Sequence, residues 1–347
     1  MKSIPVPARS LSGHFFEDYR PGQRFVHATP RTITQGDVAL YQALTGSRSV
    51  MHCAEPVAQA VGHPSLPVDD LLVFHIAFGK TVPDISYNAV ANLGYADLRF
   101  LTPVYIGDTV SCATDIIGVK ENSSGKSGNV YVRSVATNQH GVPVLSWIRW
   151  VMVNKRDVKS PAPETVIPDL RAFVPPTELR IFARLRADRL RSEDTGSVKR
   201  FGDFVVGETI RHPAGMTLDE TDHTLATKLY QNTARVHFDA RYMAASAFGK
   251  RLVYGGHVIS LCRALSHDGL ENVLSWAAIN GGAHRNPTFA GDTLHARTAV
   301  LDTWPLDKRV GALRLRMTGF KNHAPDSDAI PPELTVLDLD YTVLMPR

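Results

Sequence analysis

At 347 residues the chain is long for one domain and comfortable for two. Its 44% hydrophobic and 21% charged residues are those of an ordinary globular protein, and a formal net charge of +4 suits an anionic substrate while falling short of a nucleic-acid surface. Its three cysteines, Cys53, Cys112 and Cys262, are scattered and never form a CxxC pair, which argues against a disulfide framework or a cysteine zinc site and for a reducing compartment.

The opening stretch MKSIPVPARSLSGHFFEDY has no continuous apolar run and carries two early prolines, so no signal peptide is expected. No window approaches the ~18 uninterrupted apolar residues of a membrane span. The expected setting is cytoplasmic.

The chain repeats itself. Phe16-Glu-Asp-Tyr-Arg-Pro-Gly22 returns 185 positions later as Phe201-Gly-Asp-Phe-Val-Val-Gly207, and Thr32, Asp37, Leu44 and His52 return at the same offset as Thr217, Asp222, Leu229 and His237. Pro103 and Gly107-Asp108-Thr109 meet Pro287 and Gly291-Asp292-Thr293 at an offset of 184. The expected organisation is a tandem duplication: a first domain over 1–155, a proline-rich basic linker over 156–200 and a second domain over 201–347.

Each copy reads alike in order. A short strand region (28–33; 209–217) leads to a helical segment (37–44; 222–230), then a histidine-bearing turn. A longer helix follows, with Leu71, Phe74, His75 and Phe78 in the first copy and Val258, Leu261, Cys262 and Leu265 in the second making one buried stripe. Four strands close each copy: about 90–100, 109–119, 130–139 and 144–154, then 277–284, 293–303, 312–321 and 334–345. Val-Tyr-Val-Arg-Ser-Val and Leu-Arg-Leu-Arg-Met alternate with period two, as half-exposed antiparallel strands do. The fold class is therefore α+β, a run of strands curling around a long helix. In the linker, Pro161, Pro163, Pro168, Pro175 and Pro176 read as an extended connector, and Leu179–Arg191 reads as a basic amphipathic helix.

Chemistry concentrates in Tyr230–His257, YQNTARVHFDARYMAASAFGKRLVYGGH. Asn232 stands five residues before His237, and Asp239 two after it. Small residues lead to Phe248-Gly249, and Gly255-Gly256 precedes the long helix. An imidazole ordinarily titrates near working pH, so His237 suits acid–base work. The N–H groups at a glycine helix start suit an oxyanion. Plainer roles stay open: a turn cap for Asn232, a helix N-cap for Asp239, close packing for the two glycines, and a core position for His257.

This frame, with Pro-x-x-x-Gly-Asp-Thr recurring in both copies, resembles the MaoC or hydratase-2 family of acyl-CoA hydratases, over nearly all of the chain outside the linker. The resemblance implies a tandem (double) hotdog, each half a curved antiparallel sheet wrapped around a central helix. It also implies hydration of a 2-enoyl-CoA thioester, with the thioester oxygen held at the helix start by Gly255 or Gly256. The family's catalytic aspartate falls on Asn232 here and its asparagine on Ala234. The first copy gives Ser47 and Ser49 at those positions, with no acid after His52, which reads as a relic. The Tyr-Gly-Gly-His sequence and the Asn-for-Asp exchange look most like the mesaconyl-CoA hydratase branch.

On that resemblance His237, Asn232 and Asp239 are the catalytic candidates, and Arg235 or Arg285 would hold a second substrate carboxylate. The absence of HExxH, of a ligand cluster and of a dinucleotide fingerprint leaves no expected metal or redox cofactor, with CoA present only as part of the substrate. A homodimer is compatible with this organisation. The alternative readings are an (R)-specific straight-chain enoyl-CoA hydratase, a non-catalytic acyl-CoA-binding protein that lost its aspartate, and, more remotely, a thioesterase.

Overall fold

Two histories of strand alternation meet in one sheet. The computed structural model describes residues 12–327 and 329–347, so the first eleven residues, where no leader is expected, lie outside the described residues. In the first copy β1 (Arg24–Val26) and β2 (Arg31–Thr32) precede α1 (Gln35–Thr45), α2 (Val50–Cys53), α3 (Glu55–Ala60) and the long α4 (Asp70–Thr81). Four strands then follow: β3 (Ala89–Phe100), β4 (Thr109–Glu121), β5 (Ser127–Thr137) and β6 (Pro143–Asn154). The linker contains only α5 (Ser192–Thr195) and isolated 3₁₀ turns. The second copy repeats the order with β7 (Thr209–Arg211), β8 (Met216–Thr217), α6 (Glu220–Leu229), α7 (Ala240–Ala244), α8 (Gly255–Leu265), β9 (Ser275–His284), β10 (Thr293–Pro305), β11 (Val310–Lys321) and β12 (Thr335–Pro346).

Local chemistry explains the helix bounds. Thr34 and Asp37 form a capping box at the start of α1, and Gly46 ends the helix at a φ of 66°. Strand β4 alternates buried and half-buried positions along most of its length, as a sheet with one face on a core requires.

The twelve strands form a single antiparallel sheet in the order β1-β4-β5-β6-β3-β9-β12-β11-β10-β7, with β2 and β8 pairing with β4 and β10. The two halves join where β3 pairs with β9, Tyr95 opposite Gly282 and Leu98 opposite Ile279. Helices α4 and α8 lie inside the curved sheet. Phe74 of α4 packs edge-on against Trp147 at 5.9 Å, and Trp276 stacks on Tyr341 at 4.3 Å beside α8.

The linker departs from expectation. Residues 179–191 form no α-helix; they run as a strap, with one 3₁₀ turn at Ala187–Arg189, packed on both copies. Phe182 stacks on His63 at 5.1 Å, Leu185, Ala187 and Leu190 bury against Leu344 and Ala312, and Arg186 donates its N–H to the Val61 carbonyl at 2.8 Å. Gly62 permits this approach, because a Cβ there would stand 2.1 Å from the Arg184 carbonyl oxygen. The apolar residues that suggested one helix face pack instead into one apolar cluster with Met51, Ala58 and Leu344, and that burial outweighs a helix propensity of a few tenths of a kcal/mol per residue.

A polar seam runs between the copies. The Tyr41 hydroxyl donates to Ser260 Oγ at 2.9 Å, Ser260 Oγ lies 2.8 Å from His75 Nε2, and Tyr230 shares a 3.3 Å bond with His257 Nδ1. Burial pushes both imidazoles down to about 3, with charge repulsion from His257 added at His75 and from His223 at His257. The unfolded chain binds protons from about pH 6.5 downward that the folded chain refuses until about 3. Stability should therefore fall on acidification through that window, by roughly 1.4 kcal/mol per pH unit for each histidine. Urea midpoints measured from pH 8 to pH 4 check this, and a flat profile would contradict it.

Candidate active site

The histidine turns of the two copies are built alike. His237 ends a short 3₁₀ turn (Arg235–His237), and its Nδ1 lies 3.0 Å from the Leu252 carbonyl; His52 meets the Pro67 carbonyl at 3.2 Å, 185 positions earlier. A carbonyl only accepts, so Nδ1 carries the proton and Nε2 of each ring is left with its lone pair. Burial pushes the His237 imidazole down to about 4, against the Leu252 carbonyl bond, with His223 adding repulsion. At neutral pH His237 is a neutral ring with a free basic nitrogen.

The helix starts that face these histidines differ. Helix α8 begins at Gly255, and no side chain caps it. Helix α4 is capped: Asp69 accepts the Leu71 N–H at 2.9 Å. The same carboxylate forms a buried ion pair with Arg263 of α8. Burial alone would raise the Asp69 carboxyl, but the Arg263 charge wins and holds it below the usual range. Asp70, at the position of Gly255, accepts the Trp276 N–H at 2.8 Å and lies 4.0 Å from His52 Nε2. Arg180, Phe182 and Leu185 of the strap line the space in front of His52, leaving a cavity of about 60 Å³. The first site is capped and covered by the strap; the helix start of the second carries no side-chain cap.

Around His237 the proposed residues divide. Its ring lies 5.5 Å from that of Tyr254, which immediately precedes Gly255, so His237 and the open helix start share one place. Asn232 is 5% exposed and accepts the Ala234 N–H at 3.0 Å, a turn cap. Asp239 accepts the Tyr242 N–H at 2.9 Å as the N-cap of α7. Arg235 lies over the rings of Tyr87 and Tyr242, at 5.4 and 4.3 Å, without a carboxylate partner among the described residues. Arg285 sits at the surface, bound to Asp338 at 2.8 Å. A cavity of about 550 Å³ opens between the copies, lined by Lys80, Lys228, Asn232 and Phe238 among others.

Sequence reasoning passed over His284, at the end of β9. A Cβ on Gly255 would stand 2.6 Å from His284 Cε1 and Nε2, so this ring fills the space beside the first residue of α8. Its Nε2 lies 3.2 Å from the hydroxyl of Tyr95, a first-copy residue. Burial and then the neighbouring His237 push it down to about 4. A signal was present: at the offset of 184 the first copy carries Phe100 where the second carries His284.

A model of the MaoC like domain matches residues 17–139, within the first copy. The chain is 52% identical to the beta-methylmalyl-CoA dehydratase of Chloroflexus aurantiacus, over 99% of both chains. It is 49% identical to the mesaconyl-CoA hydratase of Cereibacter sphaeroides, over 98% of this chain and 100% of that one. A crystal structure of a MaoC domain dehydratase from Chloroflexus aurantiacus superposes with a TM-score of 0.94 at 52% identity, covering 98% of this chain and 99% of that one. A Mycobacterium tuberculosis protein with a double hotdog fold superposes at 0.82 with 25% identity, covering 97% and 99%.

The Asp69–Arg263 pair makes a further expectation. Asp69→Ala leaves Arg263 buried without its partner and α4 without its cap, and should cost about 3–5 kcal/mol. Chemical denaturation measures it; a loss below about 1 kcal/mol, the value of an exposed pair, would contradict the burial argument.

Proposed function

The chain belongs to the MaoC-like family of double hotdog hydratases, and we propose that its second copy carries out the reversible hydration of mesaconyl-CoA to β-methylmalyl-CoA. The observation that carries the site assignment is the uncapped α8 start at Gly255 beside a neutral His237 with a free Nε2.

The chemistry follows from that pairing. The thioester oxygen docks on the N–H groups of Gly255 and Gly256, where the helix dipole favours the charge that develops on it. His237 Nε2 removes a proton from water as the oxygen bonds to the β-carbon and the double-bond electrons move to the enolate. The imidazolium returns that proton to the α-carbon, so OH and H are both delivered and the ring ends neutral. This route needs no carboxylate at position 232, and it leaves Asn232 and Asp239 holding the loop that aims His237. It asks for no group beyond the CoA ester itself. Lys80 and Lys228, at the 550 Å³ cavity next to Asn232, suit the CoA phosphates.

The dicarboxylic acyl group brings a free carboxylate. Arg235, two residues from His237 and held only by aromatic faces, is the better clamp; Arg285 is engaged by Asp338. Among the described residues no helix is long and apolar enough to cross a membrane, and all three cysteines are free, which supports a cytoplasmic setting. The remaining edges of the sheet suit a homodimer.

A panel of enoyl-CoA thioesters, followed by loss of the conjugated double bond, tests the reading. Mesaconyl-CoA should turn over, and strong turnover of crotonyl-CoA with none of mesaconyl-CoA would redirect it to a straight-chain hydratase. His237→Ala should abolish hydration while leaving thermal unfolding unchanged; near-normal turnover would refute the site. Arg235→Ala should raise KM for the dicarboxylic ester about 10- to 100-fold, as expected for one charged hydrogen-bonded contact, with little effect on crotonyl-CoA.

A further inference from the structure

The two copies furnish the same place with different chemistry. In the first, His52 faces a carboxylate on the helix (Asp70), and Phe100 ends the neighbouring strand; all three line one cavity. In the second, the helix position is Gly255 and the strand position is His284. The side chain lost from the helix and the imidazole gained on the strand are two halves of one exchange, because a Cβ at Gly255 would collide with the His284 ring. An enzyme needing only space beside the helix start would keep phenylalanine there. An imidazole at this point brings an N–H group.

We propose that His284 is a catalytic hydrogen-bond donor of this site: its Nε2–H, accepted by the Tyr95 hydroxyl oxygen of the other copy in the free site, stands beside Gly255 and donates to the thioester oxygen as that becomes an enolate. The inference rests on the hydratase reading above. His284 is half-buried, so its ring borders the accessible side of the site. The Tyr95 hydroxyl, 3.2 Å from Nε2, orients the ring, and Tyr95 is itself fixed by packing on Phe74 at 6.0 Å and by its place opposite Arg149 in the sheet. A neutral imidazole donates without surrendering its proton, which here would produce an unaffordable imidazolate. The proton balance stays with His237, while His284 lowers the enolate's energy together with the helix N–H groups. His237 and His284 would repel if both were charged, which favours one base and one neutral donor.

The test pairs two substitutions in the full-length chain. His284→Phe copies the first copy's Phe100 and keeps a flat aromatic ring, so thermal unfolding should stay cooperative. It should lower kcat for mesaconyl-CoA about 100-fold with KM within about threefold, the pattern of a donor used in the transition state. His284→Gln restores an N–H and should recover at least about tenfold of that loss. Turnover of His284→Phe within about threefold of wild type would overturn the proposal. So would a folded His284→Gln no better than His284→Phe, since that marks a packing role. A wild-type chain that hydrates no enoyl thioester would bring down the hydratase reading and this inference with it. A hydrating wild type with an unimpaired His284→Phe would bring down this inference alone.

Discussion

The pairing of β3 with β9 is the constraint on which the rest depends. Tyr95 opposite Gly282 and Leu98 opposite Ile279 turn two half-sheets into one twelve-stranded surface. A strand edge left unpaired at that seam would expose a row of backbone donors and acceptors, so duplication and fusion settle an edge problem within a single chain. The same pairing decides the site's composition, because it delivers the Tyr95 hydroxyl of the first copy to His284 of the second. Neither copy assembles that corner alone.

Duplication also freed one site to change purpose. In the first copy Asp69 caps α4 and pairs with Arg263, Asp70 holds the Trp276 N–H, and the linker lies across the entrance. Each of these adds a hydrogen bond or buried contact at the expense of an open helix start. In the second copy the equivalents of Asp69 and Asp70 are Tyr254 and Gly255, and the N–H groups at the start of α8 carry no side-chain cap. An uncapped start is a local cost to stability that a bound oxyanion offsets. Under the proposed function, the asymmetry between two inherited frames separates a structural half from a chemical half.

In the proposed mechanism the missing aspartate is not required. The Leu252 carbonyl fixes the proton of His237 on Nδ1, and burial keeps the ring neutral, so one imidazole can take and return the same proton. What the site then requires is stabilisation of the enolate, which N–H donors supply in a water-poor place.

The sequence by itself determined the duplication, the α+β order of elements, the strand positions to within a few residues and the start of α8 at the glycine pair. Those features are written in periodicity and in backbone chemistry, which act over a few residues. Residues 179–191 show the limit: their apolar spacing matched a helix, yet an apolar cluster shared with distant strands pulled them into a strap. For Asn232 a catalytic or a turn-capping role, and for Asp239 a second acid or an N-cap, stood open in the sequence; the structure adds that each accepts a backbone N–H, two and three residues away. His284 stayed hidden because its meaning depends on Gly255, 29 positions earlier, and on Tyr95, 189 positions earlier. Only the tertiary structure decided those contacts, since hydrogen bonds and steric exclusion are set by distances in space that no local pattern encodes.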